Sequence, residues 1–131
     1  MYTFKKEERL CSKKLLDKLF HSGSSFLLYP FRITWLAENL AGLFPVQVVI
    51  SVPKRRFKRA VDRNLLKRKI REIYRLNKSD LLYKQLGENN ITLIAAIQFI
   101  GKDISDYAFL DKKLKLALEQ LVKLSAAADE K

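Results

Sequence analysis

The run ITLIAAIQFI at residues 91–100 sets the tightest limit on the fold. It is the longest apolar run in the chain and carries no charge. A membrane span needs about 20 such residues, so this run is about half long enough. Bounded by GENN and Gly101, it reads as a central strand of a sheet. A central strand needs neighbours, and two more segments supply them. FRITWLAE at 31–38 alternates, with Phe31, Ile33 and Trp35 on one face and Arg32, Thr34 and Leu36 on the other. VQVVISV at 46–52 is β-branched and reads as a buried strand that Pro53 ends. The extended region after the SGSS loop at 22–25 allows one strand more.

Helical patterns surround these strands. Ser12 is an N-cap and Gly23 a stop for a helix over 12–21, with Leu15, Leu16, Leu19 and Phe20 at helical spacing. A long helix is expected over 59–77, then a helical turn and a Gly/Asn-rich loop over 79–90. A last amphipathic helix over 106–124 carries Tyr107, Leu110, Leu114, Ala117, Leu118 and Leu121 on one stripe. The connection from 46–52 through the long helix to 91–100 has the length of a βαβ crossover. Helices packed on a sheet make an α+β layer fold. At 131 residues the chain fits one domain, 1–131, with a core over about 9–124 and a frayed tail over 125–131.

The long helix belongs to a stretch of unusual charge, KRRFKRAVDRNLLKRKIREIYR at 54–75. Eleven of its 22 residues are Lys or Arg against Asp62 and Glu72, a net +9 of the chain's +12. At about 100° per residue from Val61, the apolar residues Leu65, Leu76, Ile73, Leu66 and Ile70 fall between about 40° and 180°. Lys67, Lys78, Arg71, Asn64, Arg75 and Arg68 fall between about 240° and 340°, and Lys69 intrudes on the apolar sector. An apolar stripe docked on the sheet leaves a face of one sign. Arg63, Lys67 and Arg71 stand four apart, a rise of ~6 Å per step that suits successive phosphates. Lys54, Arg55, Arg56, Lys58 and Arg59 extend the patch before the helix. A pI near 9.9 points to a polyanionic partner. A lipid surface would need the apolar stripe that the sheet takes, so the expected partner is nucleic acid and not a membrane.

Chemistry is harder to place. Cys11 and His21 are the sole cysteine and histidine, which excludes an internal disulfide and zinc-ligand spacing. The 14 acids are scattered, with no DxD-like pair beside a histidine. Metal-dependent phosphodiester cleavage needs clustered carboxylates, so no nuclease site is expected on this chain. MYTFKKEERLCSKKLLDKLF has charges every few residues and no signal-peptide run, and the expected location is the cytoplasm.

SVPKRRFKRAVDRNLLKRKIRE resembles the signature of the bacterial ribonuclease P protein component, through Ser51, Val52, Lys54, Ala60, Val61, Arg63, Asn64, Lys67, Arg68, Ile70 and Arg71. RLCSKKLLDKLFHSG resembles the family's first helix through Arg9, Leu10, Phe20 and Gly23. Two positions depart: Leu65 stands for the second arginine of an Arg-Asn-Arg core, and Leu16 for an aromatic one turn before Phe20. The resemblance implies an αβββαβα sandwich like the second domain of ribosomal protein S5, with a left-handed βαβ crossover. It implies a subunit that binds a catalytic RNA and the 5′ leader of precursor tRNA, with no obligate protein partner. It also implies Mg2+ for the holoenzyme, held mainly by the RNA. On this reading Lys54, Arg55, Arg56, Lys58, Arg59, Arg63, Asn64, Lys67, Arg68, Arg71 and Arg75 contact the catalytic RNA. Leu16, Phe20, Arg32 and Thr34 line a leader cleft, and no residue is catalytic. The rival class is a ribosomal or ribosome-assembly protein that binds rRNA without aiding cleavage; residue order at 51–71 separates the two.

Overall fold

A computed structural model describes residues 8–40, 44–55, 57–103 and 106–129. The elements run α1 (Lys13–Ser22), β1 (Ser24–Leu28), β2 (Phe31–Ala37), β3 (Val46–Ser51), α2 (Ala60–Lys78), α3 (Lys84–Glu88), β4 (Leu93–Phe99) and α4 (Tyr107–Asp129). A single π-helical turn, Ser79–Tyr83, joins α2 to α3. The sheet order is β1-β2-β4-β3. β1 pairs antiparallel with β2, β2 antiparallel with β4, and β3 parallel with β4. The apolar run is therefore a central strand, and all of β4 except Gln98 is buried. Two pieces of the expected layout shift. Ser24 and Ser25 belong to β1 rather than to a loop. α4 continues past 124 to Asp129, with Ser125 buried, where a frayed tail was expected.

Register sorts the sheet into two faces. Phe31, Ile33 and Trp35 sit opposite Phe99, Ile97 and Ala95, and Val46 and Val48 continue the same side. That face packs on Leu66, Ile70, Ile73 and Tyr74 of α2 and on Leu110, Leu114, Ala117, Leu118 and Leu121 of α4. The other face presents Ile94 and Ala96, covered by Leu10 and Leu19 with Leu15, Leu16, Leu36 and Val49 around them. One helix, α1, thus covers one face of the sheet, and α2, α3 and α4 cover the other.

Local signals explain the ends of α1. Ser12 Oγ accepts from the Leu15 N–H at 3.3 Å, an N-cap. Gly23 follows the helix with φ −74° and ψ 159°, so no left-handed turn requires it. A Cβ there would lie 3.0 Å from the Trp35 carbonyl oxygen and closer still to that of Leu19. Glycine is needed because the helix end and β2 approach so closely.

α2 lies on the sheet rotated from its expected setting. Leu66, Ile70, Ile73, Tyr74 and Lys78 are buried, an arc of about 120–260°. Val61 is 66% exposed, and Leu65 and Leu76 are each 39% exposed. Tyr74 is wholly buried in the core cluster while Val61 and Leu65 are not, so the buried arc is turned by about 80° from the expected one. Tyr107, expected on the buried stripe of α4, is 40% exposed. Burial still outweighs repulsion in α2. Four fully buried apolar side chains supply roughly 2 kcal/mol each, against ~0.7 kcal/mol for unit like charges about 6 Å apart in water.

Candidate nucleic-acid interface

The lead-in to α2 is held in place by two side chains. Phe57 is buried, with its ring 5.8 Å from that of Phe99. Arg63 is half-buried, and its Nη1 donates to the carbonyls of Phe57 at 2.7 Å and Lys58 at 2.9 Å. Arg63 therefore fastens the loop through Nη1. Lys54, Arg55, Lys58 and Arg59 are exposed on the loop so held, and Arg56 lies outside the described residues.

Along α2, Asn64, Arg68 and Arg71 are exposed and Lys67 is half-buried. Arg75 is neutralised by a two-pronged contact with Glu72, Nη2 to Oε1 at 2.5 Å and Nε to Oε2 at 3.1 Å. The hydrogen bonds from Arg75 hold the Glu72 carboxyl below the usual range, while the slight burial of that carboxyl opposes the shift. Lys78, expected on the cationic face, is buried. Its Nζ donates to Glu8 Oε1, which also accepts from the Tyr83 hydroxyl at 2.6 Å. Burial raises the hydroxyl pKa of both Tyr74 and Tyr83 well above the usual tyrosine value. The hydrogen bond to Glu8 and the neighbouring charges hold Tyr83 higher still.

Glu8 begins the segment leading to α1, where the Leu10 N–H donates to the Val48 carbonyl at 2.9 Å and Arg9 bridges Val48 in parallel. Arg9 and Arg71 then flank a groove of about 130 Å³ along β3. Arg9 matters here as a second guanidinium beside Arg71, a proximity that only the folded chain shows.

A second surface lies on the α1 side of the sheet. Lys18 Nζ contacts Glu38 Oε2 at 2.8 Å, tying one flank of α1 to the far end of β2. Leu16 and Phe20 stand two residues to either side of Lys18, roughly 160° away around the helix. Their flank therefore faces the opposite end of the sheet, where register lines up Leu27, Arg32, Gln98 and Ser51 across the four strands. Phe20 is 54% and Leu27 70% exposed; Arg32 is exposed, and Gln98 and Ser51 are half-buried. Leu16 is half-buried against the Leu10–Leu19 cluster. Thr34 is 5% exposed and its hydroxyl lies 2.9 Å from that of Ser25, which makes it floor rather than lining. Ser51 ends β3, so this open end of the sheet runs through Val52 and Pro53 into the cations from Lys54 onward.

The ribonuclease P family model matches residues 4–121. The chain belongs to this family. A ribonuclease P protein component of Porphyromonas gingivalis is 33% identical over 113 residues, 86% of this chain and 82% of that protein. One of Petrotoga mobilis is 40% identical over 77 residues, 59% of this chain and 62% of that protein. Two solved structures share the fold. The RNase P protein of Thermotoga maritima gives a TM-score of 0.68 at 23% identity, covering 86% of this chain and 96% of that one. That of Staphylococcus aureus gives 0.67 at 19%, covering 87% and 94%.

Membership decides between the two classes open from sequence: the chain is a protein subunit of ribonuclease P, the holoenzyme that cleaves tRNA precursors, and not a ribosomal protein. Such a protein implies an RNA partner and a tRNA substrate. No helix among the described residues is long and apolar enough to cross a membrane. Sequence reasoning missed Leu27, Gln98 and Ser51 as neighbours of Arg32. Period-2 alternation puts each on a face, but only the β1-β2-β4-β3 register makes them one row.

Proposed function

We propose that this subunit holds the 5′ leader of precursor tRNA in the cleft between α1 and the open sheet face while its basic surface holds the catalytic RNA. The observation that carries the reading is the continuity at Ser51: the row Leu27–Arg32–Gln98–Ser51 opens directly onto Lys54 and Arg55. A single strand leaving the cleft meets the same cations that an adjacent RNA would. In the cleft, Phe20 offers a ring face for a base and Leu27 an apolar floor, and Arg32 is a point of attachment for a phosphate. On the other surface, Lys54, Arg55, Lys58, Arg59, Lys67, Arg68 and Arg71 neutralise phosphates, with Arg9 beside Arg71. Arg56 belongs to the same run in sequence. Arg63 acts through the loop it fastens, and Arg75 through Glu72.

Mg2+ is expected of the holoenzyme. A hard cation of this kind takes clustered oxygen ligands, and among the described residues no group of three or more His, Cys, Asp or Glu could hold a metal ion. The described side chains offer no such cluster, and the part in the reaction assigned to this chain is to bind and orient RNA, in the cytoplasm where tRNA is processed.

The test is Phe20→Ala in the reconstituted holoenzyme. One lost base contact of ~1–3 kcal/mol lowers affinity for leader-bearing precursor about tenfold while affinity for mature tRNA stays unchanged. Equal losses for both ligands would overturn the cleft assignment.

A further inference from the structure

The rotation of α2 leaves apolar side chains where the helix meets solvent. Val61 and Leu65, one turn apart, are 66% and 39% exposed. With Asn64 and Arg68 they line a recess of about 260 Å³. Single exposed apolar residues are ordinary on a protein surface. A pair sharing one recess on the most basic helix of the chain is a different matter, because phosphates alone give no reason for it. Apolar side chains make poor neighbours for a hydrated phosphate and good ones for the dry face of a base or ribose.

We propose that Val61 and Leu65 seat one unstacked nucleotide of the catalytic RNA, and this rests on the reading above that α2 meets that RNA. The other two walls fit the same occupant. Asn64 can donate to and accept from a base edge, and Arg68 can hold the attached phosphate in a planar fork. Arg68 has no ion pair among the described residues, while the acid four positions on, Glu72, is taken by Arg75. The charge around the recess is thus positive, and it favours a polyanion over an apolar protein segment. A paired nucleotide in an A-form helix keeps its base faces stacked inside, so the seat takes a nucleotide from a loop, bulge or end.

The contact is non-ionic, and salt separates it from the phosphate contacts around it. Binding of the full chain to ribonuclease P RNA is measured from low to high salt for the native protein, Val61→Ala/Leu65→Ala, Arg68→Ala and Arg71→Ala. The double variant binds about tenfold more weakly by the same factor at every salt concentration, and its thermal midpoint is retained because both positions face solvent. Arg68→Ala lowers the slope of log affinity against log salt by about 0.7–0.9. A plain RNA duplex binds the native and double-variant proteins equally.

Native affinity in the double variant beside a weakened Arg68→Ala would overturn the seat and leave the reading of α2 standing; the patch would then serve something other than RNA. A loss of equal size on the duplex would also overturn it. Unchanged RNA binding in all three variants would remove α2 from the interface altogether.

Discussion

Replacing Lys78 by Met tests whether a buried ion pair holds the two helical surfaces together. Lys78 and Glu8 are 2% and 1% exposed and lie 70 positions apart. The ammonium also stands 5.4 Å from the centre of the Tyr83 ring. Met keeps much of the volume of Lys and removes the charge. It leaves a carboxylate in the interior with the Tyr83 hydroxyl at 2.6 Å. Breaking a buried pair by removing one partner costs roughly 3–5 kcal/mol, and the hydrogen bond kept from Tyr83 puts this case near ~3 kcal/mol. With an unfolding entropy of ~2.1 cal/mol/K per residue over a chain of this length, the midpoint should fall by about 10 °C. Urea unfolding should show a lower midpoint concentration at an unchanged slope. The companion Glu8→Gln/Lys78→Met removes both charges and should recover at least ~1–2 kcal/mol relative to the single variant. A Lys78→Met protein within ~0.5 kcal/mol of native, with a double variant no better, would refute the pairing argument.

Three further outcomes follow from the geometry. Gly23→Ala sets a methyl against the carbonyl oxygens of Leu19 and Trp35, and should cost ~2–3 kcal/mol, read as a lower thermal midpoint. Arg63→Lys keeps the charge but loses the planar fork that reaches both Phe57 and Lys58 carbonyls. It should cost ~1 kcal/mol of stability and weaken RNA binding without changing the salt slope. The Glu72 carboxyl should titrate below the usual glutamate range by NMR and return to it in Arg75→Ala. Because its folded pKa is the lower one, the pair's contribution is present above the unfolded glutamate pKa and fades as pH drops through the folded value. Glu72→Gln removes an acid from the basic face and should steepen the salt slope for RNA by up to ~0.9.

Much of the fold is legible because it rests on patterns within single segments. The apolar run at 91–100 could only be an interior strand, and Ser12 and Leu15 lie close enough to make their cap visible in the chain itself. The rotation of α2 was not legible. Helical periodicity locates a stripe, but which edge of it turns inward depends on what α4 and the sheet offer. Here that is room for Tyr74. The same limit hid the fate of three cations. Arg63 serves two carbonyls of its own lead-in, Arg75 serves Glu72, and Lys78 serves a glutamate at the other end of the chain. Each would count as one unit of surface charge on a helical wheel, yet each already has a partner within the protein. This division explains how so basic a segment keeps one conformation. Part of the charge is turned inward to fix the loop, the helix end and the strand beside Arg9, so that the remaining cations are presented on a rigid frame. A face made only of outward cations would bind polyanions equally well in any arrangement. The internal anchors hold the backbone of the lead-in and the end of α2, the frame on which Lys54, Arg55 and Arg71 stand.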